Sequence, residues 1–130
     1  MEKIRAVLNI DMMGRVDTFY NGKRAVSNYA YILVVVSLNK ALRNPLYAAN
    51  EKLGKLKLDT YYEQPQFMQR RLMSSDQYPF YLIGVPFIRI DCSFSKDYHQ
   101  PTDTPDKINY KLLSNQIKLT FLTTWNIANN

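Results

Sequence analysis

The sequence predicts an α/β fold, a mixed, largely parallel sheet flanked by helices. Three observations point there. Residues 4–10 and 29–36 are apolar, strand-sized and rich in β-branched side chains. Residues 37–53 and 109–128 repeat apolar side chains at helical spacing. Strand and helix signals therefore alternate along the chain, the pattern of a layered α/β domain.

Residues 4–10, closed by Asp11, read as a buried strand. Met12-Met13-Gly14-Arg15 leaves it, and the polar stretch 17–27 carries Asn21-Gly22, a strong turn signal. The unbroken run Tyr31-Ile32-Leu33-Val34-Val35-Val36 predicts a central strand over residues 29–36, covered on both faces. Ser37 is placed to cap a helix over residues 37–53, whose apolar side includes Leu42, Leu46 and Ala49. Pro45 predicts a kink or break in it, and Gly54 the stop. Leu56, Leu58, Thr60 and Tyr62 alternate, predicting a third strand over residues 56–62. Residues 63–73 read as a connector with a helical turn. Ser75 is placed to cap a short helix over residues 76–83, ended by Gly84, and residues 85–90 predict a fourth strand. Residues 93–105 form a long polar loop, a kind of segment that often carries function. In the last helix, Leu113, Ile117, Phe121, Trp125 and Ala128 form the stripe expected to face the core.

Composition narrows the function. The 130 residues suit one domain or part of a larger one. Apolar content of 46% and charged content of 22% argue against a disordered chain. The net charge of +6 is spread out: the only adjacent basic pairs are Lys23-Arg24 and Arg70-Arg71, so no nucleic-acid-binding face can be drawn. No apolar run reaches the roughly 20 residues of a membrane span. The single cysteine, Cys92, excludes an intrachain disulfide and a cysteine-type zinc finger. There is no phosphate-binding glycine loop and no Gly-x-Ser-x-Gly elbow.

A few residues stand out chemically. His99, the only histidine, follows the fourth strand in Asp97-Tyr98-His99-Gln100-Pro101-Thr102-Asp103-Thr104. A neutral imidazole is a good metal ligand, and Asp97 or Asp103 is available to orient its other nitrogen. Asp11 closes an apolar strand, where a carboxylate is costly unless paired or metal-bound. If the first and fourth strands are parallel, Asp11 and His99 fall on one edge of the sheet. Asp76 has the placement of a helix-start anion, and Cys92 that of a small core residue.

In order, these segments resemble a known family. Asn9-Ile10-Asp11-Met12-Met13-Gly14-Arg15 resembles the N-x-D-M-x-G-R strand end of the di-zinc aminopeptidases, the family of bacterial leucyl aminopeptidases and aminopeptidase Y. Ser75-Asp76-Gln77-Tyr78-Pro79-Phe80 with Gly84-Val85-Pro86 is similar to its S-D-H-x-P-F…G-x-P. Tyr98-His99-Gln100-Pro101-Thr102-Asp103-Thr104-Pro105-Asp106-Lys107-Ile108-Asn109 is similar to its Y-H-x-x-x-D-T-x-D-K-I-N. Glutaminyl cyclases share the fold.

The resemblance implies a zinc-exopeptidase-like three-layer sandwich, with residues 1–130 as a single partial domain from its C-terminal portion. It implies a site that hydrolyses N-terminal residues from peptides by water held between two zinc ions. Asp11 would ligate one zinc and His99 the other. Asp76 would be a carboxylate beside the site, and Asp103 and Thr104 would shape the loop presenting His99. Phe94 is placed to line the pocket for the substrate's N-terminal side chain. Gln77 stands where the family has histidine, and glutamine cannot titrate. The family's His-x-Asp ligand pair and its Glu-Glu pair, which holds the general base, have no counterpart among these residues, so no catalytic base is expected in this chain. The expected partners are a peptide substrate and either the missing N-terminal half or a second copy. A truncated module acting by association is the second expectation, and a glutaminyl-cyclase-like acyltransferase the third. The family is often secreted or periplasmic, and residues 1–11 carry no signal-peptide core.

Overall fold

A computed structural model describes residues 4–17, 28–92 and 94–129, the side chains of residues 36–39 excepted. The expected Asn21-Gly22 turn lies outside the described residues. Four strands form one sheet: β1 (Val7–Asp11), β2 (Tyr29–Leu33), β3 (Lys57–Asp59) and β4 (Phe87–Asp91). Their order is β1-β4-β2-β3. β1 runs parallel to β4, β2 runs parallel to β3, and β2 and β4 are antiparallel. The sheet is thus mixed and mostly parallel, and the apolar β2 and β4 take its two central positions, buried throughout.

Side-chain alternation splits the core into two. Ala30, Ile32, Ile88, Ile90 and Cys92 face α1 (Val36–Ala49) and α4 (Tyr110–Asn129), meeting Leu42, Leu46, Leu112 and Leu119. Leu33 and Phe87 face the other way, against α2 (Pro65–Met73) and α3 (Tyr78–Leu82), where Leu72, Met68, Tyr78 and Tyr81 pack. Helices therefore cover both faces of the sheet.

Several elements differ from their sequence expectation. Ser37 lies inside α1, whose N-cap is Val35. Pro45 does not break that helix. The chain runs on into a π-helical turn (Asn50–Gly54) and stops at Lys55, which adopts a left-handed conformation. There the Asn50 side chain closes the end by bonding both the carbonyl and the N–H of Leu56. The third strand is only three residues long, because the chain turns into a 3₁₀ helix (Tyr61–Glu63). The connector becomes α2, started by Pro65, a residue preorganised for a first helical turn. Ser75 caps nothing, and α3 begins only at Tyr78.

The largest correction concerns α4. Its sheet-facing residues are Leu112, Gln116, Leu119 and Thr123. The expected core stripe points the other way: Ile117 is 54%, Phe121 64% and Trp125 58% exposed. A helix with two apolar stripes fits the core with either one. Gln116 settles the choice, since its amide accepts from Gly14 N–H (3.0 Å) and donates to the Tyr29 carbonyl (3.2 Å) and Cys92 Sγ (2.8 Å).

Candidate active site

β1 and β4 end in register at Asp11 and Asp91, so the segments that follow them gather at one edge of the sheet. Gly14 makes the turn after β1 possible. It has φ +76°, and a Cβ there would come within 3.1 Å of both Ile108 and Leu113. Its carbonyl accepts from Asn109 N–H (2.8 Å), which ties the turn to the start of α4.

The floor of the site is polar. Asn9, Asp11, Arg89 and Asp91 alternate along β1 and β4 and share one face of the sheet. Arg89 is buried in the middle of β4. Its Nη2 lies 3.1 Å from Asp11 Oδ2 and its Nε 2.8 Å from Asp91 Oδ2. Its Nη1 donates to the Arg71 carbonyl (2.9 Å) and to Ser74 Oγ (3.1 Å). A guanidinium enclosed this way needs such partners on every side.

Ser75 donates to the same Asp11 Oδ2 (2.8 Å) and accepts from Asn9 Nδ2 (2.8 Å). Asn9 Nδ2 also donates to Gln77 Oε1 (2.7 Å). Gln77 in turn donates to the carbonyls of Leu72 (2.6 Å) and Arg71 (3.1 Å). Gln77 is therefore a fully buried tie between β1 and the end of α2, not a cleft residue. These bonds fix one carboxylate oxygen of Asp11. No described residue hydrogen-bonds the other, Oδ1, and Asp11 is partly exposed to the cleft.

His99 is held by stacking. Its ring lies 3.8 Å from that of Tyr98 at 19°. Tyr98 meets Phe94 edge-on (4.7 Å), and Phe94 lies under the Arg71 guanidinium (4.6 Å), which also covers Tyr62 (3.7 Å). A row of five planar groups thus runs from Tyr62 to His99. His99 has φ +56° and Met12 φ +51°, and both border the cleft. Left-handed backbone at non-glycine positions persists only where the surroundings enforce it.

The loop around His99 is locked by Asp97. This buried carboxylate accepts from Arg15 Nη2 (2.7 Å), Lys107 Nζ (2.7 Å) and Thr102 Oγ1 (2.8 Å). The Lys107 and Thr102 bonds foremost hold its carboxyl down at about 2. Asp103 pairs with Arg15 as well, at 3.3 Å. Asp97 and Asp103 therefore serve the loop through Arg15, and neither hydrogen-bonds the His99 ring.

Asp11, Asp76, Phe94, His99 and Asp103 border one cleft of about 430 Å³. Thr104 borders the adjacent cavity of about 270 Å³, which shares Met12, Tyr98 and Asp103 with the cleft. The sequence reading missed Arg71 and Arg89. Arg89 carried one signal: a charged residue two positions before Asp91 in an otherwise apolar strand, matching Asn9-x-Asp11 on β1. Cys92 is buried, and desolvation pushes its thiol up, which removes it as a nucleophile.

Peptidase family M28 matches the chain over residues 1–123. The chain belongs to that family. Membership makes it a hydrolase of the metallopeptidase type at family level. No curated protein and no solved structure matches it.

Whether zinc fits this M28 chain depends on its donors. The Asp11 carboxylate and the His99 imidazole are ligands of the right kind at one cleft. A catalytic zinc takes about three protein ligands and a water. Among the described residues, no three His, Cys, Asp or Glu side chains converge as a metal-binding group. The described residues therefore fit part of a zinc centre and not a whole one.

Proposed function

We propose that this chain contributes the strand-end part of an M28 zinc aminopeptidase site. Asp11 and His99 serve as metal ligands, one for each of two ions, and the remaining ligands and the general base come from outside the described residues. The observation that supports it is their shared cleft at the carboxyl ends of the parallel β1 and β4. Arg89 and Ser75 orient Asp11 by holding Oδ2. Tyr98 braces the His99 ring. Phe94 offers an apolar wall for the side chain of a peptide's first residue, and Asp76 gives the rim a carboxylate that suits a free amine.

The test joins this chain to the front half of an M28 aminopeptidase, which supplies the missing ligands and base, and offers it zinc with a peptide of free N-terminus or the same peptide N-acetylated. Cleavage of the free peptide alone, lost in Asp11→Asn and His99→Ala, supports the proposal. Cleavage of both peptides would contradict the aminopeptidase assignment. A folded joined protein that cleaves neither favours the second reading, a module that keeps the fold and acts by association. The burial of Gln77 at the family's histidine position favours that reading, since this side chain neither titrates nor reaches the cleft.

A further inference from the structure

Arg71 and Arg89 both border the cleft, and they do different work. Arg89 lies in the floor, between Asp11 and Asp91. Arg71 stands in the wall, near the end of α2. Rings set its guanidinium: the central carbon lies 3.7 Å from the centre of the Tyr62 ring and 4.6 Å from that of Phe94. Its backbone is fixed as well, since the Arg71 carbonyl accepts from Arg89 Nη1 (2.9 Å) and Gln77 Nε2 (3.1 Å). The side chain is therefore preorganised from both ends.

A guanidinium carries only donors, five N–H groups in a planar fork, and keeps its charge at any working pH. With rings against it, Arg71 meets a ligand through its edge. The acceptor that matches a planar fork is a carboxylate, taken by two parallel N–H···O bonds. An amide offers one oxygen and no charge. An aliphatic side chain placed there removes water from the cation and returns no hydrogen bond.

The rest of the cleft says where in a peptide that carboxylate sits. Asp11 is held by Arg89 and Asp103 by Arg15, while Asp76 stands exposed on the rim. Asp76 suits the amine of a peptide's first residue, and Arg71 suits an acidic group on the same residue. Phe94 borders the cleft beside Arg71 and flanks the methylenes between the two charges.

We propose that Arg71 is a specificity-determining residue, and that the cleft prefers peptides whose first residue is aspartate or glutamate. This inference rests on the reading of the cleft as the seat of a peptide's first residue.

The test reads binding to the chain alone, without zinc, from the NMR signals of the Arg71 Nε–H and the Tyr98 amide. The probes are Glu-Ala, Gln-Ala and Leu-Ala as C-terminal amides, and Leu-Ala with a free carboxyl terminus. The expected result is saturable binding of Glu-Ala amide, about tenfold tighter than Gln-Ala amide or Leu-Ala amide. Arg71→Gln removes that preference, and Arg71→Lys keeps part of it, having the charge without the fork. Equal binding of the glutamate and glutamine peptides overturns the proposal, and this comparison needs no variant. Free-carboxyl Leu-Ala binding as tightly as Glu-Ala amide also overturns it, because the carboxyl terminus would then be the group recognised. Equal binding of N-acetylated Glu-Ala amide supports the carboxylate subsite and contradicts the aminopeptidase reading, so the two fail separately.

Discussion

Arg89 reaches from the centre of β4 to the carboxylate of Asp11 on β1, 3.1 Å away, and with Ser75 it holds one oxygen of that carboxylate in place. The same guanidinium holds Asp91 at 2.8 Å. Replacing it with an apolar side chain of similar length leaves two carboxylates without their shared cation. Arg89→Met is expected to destabilise the chain by roughly 3–5 kcal/mol, the scale for breaking a buried ion pair. Urea unfolding measures it, and a loss under about 1 kcal/mol would show that the carboxylates find other cations.

Gly14 is the second sensitive point. Gly14→Ala puts a Cβ into a left-handed backbone and against Ile108 and Leu113. The expected cost is about 1–3 kcal/mol, with shifts in the NMR signals of Gln116, whose amide Gly14 bonds. An unchanged stability would mean the turn relaxes into another conformation.

Acid should weaken the anchoring of the loop. The carboxyl of Asp97 is lowered from 3.8 to about 2, chiefly by Lys107 and Thr102. Its anchoring is complete above 3.8, where the unfolded chain is ionised too, and fades as pH falls toward about 2. Amide signals of residues 95–107 should move together across that interval. Lys107→Met should bring the transition to higher pH, and an unmoved midpoint would remove Lys107 as the main cause.

The row of planar groups predicts a loss at a distance. Phe94→Ala separates Arg71 from Tyr98 and is expected to cost about 1 kcal/mol, the scale of one aromatic or cation–π contact. It should also speed hydrogen exchange at the Tyr98 amide, which donates to the Ser95 carbonyl (3.1 Å). Exchange unchanged at Tyr98 would mean that the turn holds Tyr98 against His99 without Phe94.

The sheet was legible because β2 is a continuous apolar run and β4 is mostly one, and central strands covered on both faces need such runs. Motif order expected Asp11 at the end of the first strand and His99 in the loop after the fourth, and both border the cleft. Arg89 carried only its match to Asn9-x-Asp11 as a signal, and that does not name its partner Asp11, which lies 78 residues away. The face of α4 was not legible for a different reason. Helical period locates an apolar stripe but does not rank two of them, and the buried one carries Gln116 and Thr123. Those polar groups look surface-like until the backbone carbonyl of Tyr29 and the turn at Gly14 are in place to bond Gln116.

Zinc bound per chain is the most direct test of the half-site. The chain, confirmed as monomeric, is equilibrated with zinc, desalted and assayed by elemental analysis. With Asp11 and His99 as single ligands for two separate ions, and about three protein ligands needed for a firmly held catalytic zinc, the account predicts far less than one zinc per chain. Two zinc ions retained by the monomer would contradict it, because a complete set of ligands would then lie within this chain.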